Sequence, residues 1–173
     1  MKTKISDYIH VSEKLDELGC RYSEGIAILP VNFETATPTT TIEHSFGALV
    51  IGKLFRMNDI PCSEIRRENE KPSYIGHRSF EWELPTLFFS PPLLLANQAI
   101  VTVALSIIAN FLTDTLKKIA RKQEATGREQ TCKLGMVVET GKDNSKTYKE
   151  ISYEGPIDGL SELDEIVKEV LNK

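Results

Sequence analysis

Apolar positions recur along this chain in several rhythms, and each rhythm predicts an element. Leu15 and Leu18 share one face behind Ser12, a suitable N-cap, and Gly19 suits the left-handed residue that closes a helix. Residues 25–33 form a short apolar run, opened by Gly25 and containing β-branched side chains, which predicts a buried strand. Ile42, Phe46, Leu49, Val50, Leu54 and Met57 then follow at helical spacing behind a Thr40-x-x-Glu43 capping box. A helix over 42–57 is expected, stopped by Asn58 and Pro61.

The next stretch, 62–76, is charged and weakly patterned, as in a short edge strand or an exposed loop. Phe80, Trp82 and Leu84 alternate with Ser79, Glu81 and Glu83, the period of a half-buried strand. Residues 86–90 predict a second, more deeply buried strand that Pro91 and Pro92 end. From 93 to about 122 one long helix is expected, roughly 40 Å long if it begins at 96. After a linker over 123–130, Cys132, Leu134, Met136 and Val138 alternate on a strand, 141–144 makes a turn, and 146–154 returns as its partner. Leu160, Leu163, Ile166, Val167, Val170 and Leu171 mark a final amphipathic helix capped by Ser161 or Asp158.

These elements add up to an α/β protein: a mixed β-sheet covered by helices, with a C-terminal strand–turn–strand–helix unit. Residues 1–125 are expected to form the main domain around a long buried helix. Residues 131–173 either extend its sheet or pack as a small module.

Composition changes this picture little. The 173 residues are 40% hydrophobic and 27% charged, a globular balance. A formal net charge of -4 argues against a protein dominated by nucleic-acid phosphates, although Lys117, Lys118, Arg121 and Lys122 make a local basic patch. Cys20, Cys62 and Cys132 lack paired spacing, so no zinc site, other metal or cofactor is expected, and reduced thiols fit a cytoplasmic setting. Lys2 and Lys4 precede no apolar stretch, which argues against a secretory signal. The uncharged run 93–113 is long enough to span a membrane, but the polar stripe through Asn97, Gln98, Thr102, Ser106 and Asn110 favours a protein core.

Three groups of residues carry candidate chemistry. Thr39, Thr40 and Thr41 stand between a predicted strand and a helix N-terminus, where backbone amides and hydroxyls hold anions; the glycines and lysine of a P-loop are missing. His44 and His77, with Glu81 near the second, have acid–base potential, but no motif places a nucleophile beside them. Tyr74, Arg78 and Trp82 are residue types enriched at interface centres; as a plain strand, Trp82 would fill the core instead. The sequence therefore supports two functional classes. One is a non-enzymatic accessory subunit that binds a protein partner or its own copies. The other is a binding protein or enzyme for an anionic, nucleotide-like small molecule.

Overall fold

The computed structural model describes residues 2–21, 25–76, 82–120, 130–141 and 145–173. The chain opens with strand β1 (Lys2–Tyr8) and helix α1 (Val11–Leu18). The N-cap of α1 is His10 rather than Ser12: its Nδ1 accepts from the Glu13 amide, and Gly19 closes the helix at φ 64°. Then come β2 (Cys20–Arg21), β3 (Ile26–Ile28) and β4 (Glu43–Ser45), followed by α2 (Phe46–Met57). Three short strands follow, β5 (Cys62–Glu64), β6 (Arg66–Arg67) and β7 (Ser73–Ile75). After β8 (Trp82–Glu83) and β9 (Leu87–Phe89) come α3 (Pro91–Ala96) and α4 (Ile100–Ala120). The chain ends in β10 (Thr131–Thr140), β11 (Thr147–Pro156), a 3-10 turn (Ile157–Glu162) and α5 (Leu163–Leu171).

The fold is mixed α/β, built on one sheet in the order β1-β11-β10-β9-β3-β5, with β8 also pairing β10. The β10–β11 hairpin is not peripheral. It lies inside this sheet, antiparallel to β1 on one side and parallel to β8 and β9 on the other.

Both faces of the sheet are covered in part. On one face Leu87, Phe89, Met136 and Ile151 meet α2, α4 and α5; on the other Phe88, Val137 and Tyr148 meet α1 and the 29–42 loop. A strand buried on both faces reads as a continuous apolar run, which is why 86–90 shows no alternation.

Three expectations are corrected. The helix predicted from 42 begins at 46, because Glu43, His44 and Ser45 pair in parallel with Ser73, Tyr74 and Ile75. Thr40 therefore caps nothing there; its hydroxyl accepts from the Thr37 amide instead. The predicted strand over 25–33 is only three residues long, since 31–35 turn away into the loop. The long helix is two helices: β9 ends before Pro91 and Pro92 as expected, but these prolines also start α3, and Asn97 breaks it from α4 by accepting from the Ala99 amide through Oδ1. On α4, Ile100, Val101, Ala104, Leu105, Ile108 and Leu112 are buried in the core, while Thr102, Val103 and Ser106 lie open. By length and composition Ile100–Lys118 is also sufficient to cross a membrane.

Candidate functional site

The sequence-predicted groups end up in different places. Thr39, Thr40 and Thr41 lie in a loop closed on itself: Thr37 and Thr40 hydroxyls meet at 2.7 Å, and Asn32 bonds the Thr41 carbonyl and the Glu43 amide. Arg67 staples the same loop, donating to the carbonyls of Thr37, Thr40 and Leu18 and pairing with Glu70 at 3.0 Å. With β4 intervening, none of these threonines stands at the start of α2.

His44 is sealed in the core at 1% exposure, its Nε2–H donating to the Ile65 carbonyl at 2.7 Å. Burial holds its pKa below the usual imidazole value, with Arg66 adding to the effect against the Ile65 bond and Glu64. A neutral ring so placed shapes the β4–β7 ladder and has no open path to a substrate. His77, Arg78 and Glu81 lie outside the described residues, as do Arg121 and Lys122. Lys117 and Lys118 are exposed near the end of α4.

Tyr74 and Trp82 come to the two flanks of one ridge. Its crest is the outer face of α2, where Phe46, Leu49, Val50, Lys53 and Met57 follow at i, i+3, i+4, i+7 and i+11. Ala48, Ile51, Gly52 and Phe55 on the inner face are buried; the crest is open, with Phe46 57% and Met57 72% exposed. Phe46 stacks on Tyr74 at 6.4 Å between ring centres and lies across Gly76, where a Cβ would come within 2.7 Å of its ring. On the other flank Phe46, Val50, Ile75, Trp82, Leu84 and Phe111 line an apolar recess of about 270 Å³.

Beyond Tyr74 the ridge falls into a polar groove of about 660 Å³. Arg21, Arg56 and Arg66 line it with Cys62, Ser63 and Glu64. The Tyr74 hydroxyl donates to Glu64 Oε2 at 2.7 Å; burial first, then this bond, pushes the phenol up to about 12. The Cys62 thiol is likewise pushed up, mainly by burial and against the pull of Arg56, so it is no thiolate nucleophile.

A second cleft opens where the 29–35 loop leaves part of the sheet uncovered. Glu150 lies on its floor beside Ser152 and Gly135, with Lys4 and Tyr8 from β1. Burial, then the nearby Glu34 carboxylate, raises the Glu150 pKa, and the same charges raise that of Tyr8 after burial. Sequence reasoning missed this cleft because it missed β1, and missed the arginine groove because its strands are two or three residues long. Among the described residues no group of three or more His, Cys, Asp and Glu stands close enough to share a metal ion. Compared with known proteins, the chain matches no protein-family model, no curated protein and no solved structure.

Proposed function

We propose that this chain is a non-enzymatic interaction subunit of a larger protein assembly, docking an apolar segment of another protein, flanked by acidic residues, on the outer face of α2. The observation that carries this reading is the exposed crest of Phe46, Leu49, Val50 and Met57 beside the Trp82 recess. Such a contiguous apolar face, ringed by polar groups, marks a contact surface. Charge selects the partner. The helix carries Lys53 and Arg56 and no acid, in a chain whose net charge is -4. Complementary acids on the partner would steer it to this face. The three free cysteines suit a reducing cytoplasm.

The test is crosslinking of the purified chain in extract of its host, sequencing of the segment joined to α2, and titration of that segment as a synthetic peptide. The expected segment is apolar with flanking Asp or Glu, and binds less tightly as salt rises. Phe46→Asp is expected to weaken it about thirtyfold or more, the loss of an interface anchor worth roughly 2 kcal/mol, while lowering the melting temperature by only a few degrees through the lost Tyr74 stack. A peptide held equally by Phe46→Asp overturns the reading. So do crosslinks joining α2 to a second copy of this chain, or none to α2.

A further inference from the structure

We propose that the groove between α2 and the strands β2, β5 and β6 is an anion site that takes a phosphate monoester. This goes beyond the docking reading and does not depend on it: the groove shares Leu49 with the crest and meets its flank at Tyr74 and Arg56, but Arg21 and Arg66, which the site rests on, lie outside the docking face.

The argument starts from register. Arg21 and Arg66 stand directly opposite one another across the antiparallel β2–β6 ladder. Like charges in that relation are destabilising. Arg56, in the last turn of α2, brings a third guanidinium into the same groove. The helix dipole accounts for Arg56. Among the described residues no carboxylate pairs with the other two.

Counterions are not scarce here. The chain has 25 acidic residues against 21 lysines and arginines, and some cations elsewhere find partners, as in Lys14–Glu17 and Lys168–Asp164, while exposed lysines such as Lys53 and Lys117 stand in water. Yet among the described residues none of the three groove arginines has a carboxylate within salt-bridge distance. Arg67, the next residue along β6, is the internal contrast: every nitrogen of its guanidinium is engaged with carbonyls or Glu70. One arginine is spent on structure, and its neighbour is left open.

Charge arithmetic selects the ligand. Three guanidiniums and the carboxylate of Glu64, which is held by Tyr74, leave a net charge of two positives. A phosphate monoester carries about -1.5 to -2 at pH 7, and its oxygens match the forked donors of arginine. A carboxylate would leave one positive charge uncompensated. The monoester could come from a phosphorylated side chain or from a free metabolite, and the recognising chemistry is the same.

The experiment titrates the intact chain with inorganic phosphate, N-acetyl phosphoserine amide, a sugar phosphate, sulfate and acetate, followed calorimetrically at pH 7.5 and pH 5. Phosphate and at least one monoester are expected to bind, at least tenfold more tightly than acetate. Phosphate is expected to weaken at pH 5, below its second pKa near 6, while sulfate does not. Tighter phosphoserine points to a protein source, and a tighter sugar phosphate to a metabolite; both support the site. Arg21→Ala with Arg66→Ala is expected to abolish binding and, with no anion present, to raise the melting temperature by relieving the repulsion. Binding that survives this double variant, acetate held as tightly as phosphate, or no binding at all overturns the proposal. So does a lowered melting temperature of the anion-free double variant, which would show the two arginines to be structural.

Discussion

Replacing Ile108 by alanine separates a helix that lies against a protein core from one that faces lipid. Ile108 is 0% exposed on the inner side of α4, within the cluster that holds Leu87, Phe89 and Met136. Alanine removes three carbons. At about 0.8 kcal/mol each, the transfer term is roughly 2.4 kcal/mol, and the cavity left behind brings the total to about 3–4 kcal/mol. In a chain of 173 residues each kcal/mol moves the melting temperature by about 2–4 °C, so Ile108→Ala is expected to lower it by roughly 10 °C. The control is Val103→Ala on the open side of the same helix, where the residue is 41% exposed. It removes two carbons that are only partly buried, about 1 kcal/mol, and the better helix propensity of alanine offsets about half of that. Thermal melts and urea midpoints of the two variants in detergent-free buffer give the comparison. Equal losses at both positions, or a wild type that stays monodisperse only in detergent, would refute the assignment of α4 to the sheet.

Two further outcomes follow from the geometry. Gly25 sits at φ 109° with Pro61 O only 2.2 Å from where a Cβ would be, whereas Gly19 at φ 64° has nothing within 4 Å. Gly19→Ala should therefore cost only backbone strain, about 1 kcal/mol, and Gly25→Ala about 3 kcal/mol or more; similar urea midpoints for the two would contradict this. His44, whose folded pKa is lowered by burial, gains a proton on unfolding where pH lies below about 6.5 and above its lowered folded value, so stability is expected to fall as pH drops below about 6.5 toward that value. The chain with His44→Gln should lack this part of the slope in urea titrations between pH 7.5 and 5.5, and parallel wild-type and variant curves would count against it.

The parts of the fold that were legible in the sequence are those whose apolar residues follow a regular period. In β10 Cys132, Leu134, Met136 and Val138 alternate against the helical layer, while α2 was legible from Phe46, Leu49, Val50, Leu54 and Met57, whose spacing is helical although most of them lie on its outer face. The first strand was not legible for the opposite reason. It is an edge, with Lys2 and Lys4 over an open cleft and Ile5 exposed on its other side, so neither face carries an apolar rhythm. The capping box at Thr40 and Glu43 failed because a local hydrogen-bond signal competed with a tertiary one. Three ladder pairs to residues 73–75 hold Glu43, His44 and Ser45 extended, and the helix must wait until Phe46.

The candidate site divides along the same line. Tyr74 and Trp82 could be singled out by residue type, and both do flank the crest of α2, but type alone did not reveal that Phe46 lies between them. The spacing of the crest predicted a helix without saying that the crest is open, since periodicity reports that residues share a face and not which way the face looks. Both faces of α2 are apolar enough to pass as buried: Phe46, Leu49, Val50 and Met57 outside, Ala48, Ile51 and Phe55 inside. The arginine groove was further out of reach. Arg21 and Arg66 are 45 positions apart and meet through a ladder two residues long, too short to leave any alternation behind. What the sequence did hold was a contrast that only the structure makes visible. Arg66 and Arg67 are adjacent and chemically identical, and a strand sends neighbours to opposite faces. One therefore staples the threonine loop, and the other joins Arg21 and Arg56 in the groove. The same dipeptide thus does a structural task on one side of the strand and leaves a free guanidinium for a ligand on the other.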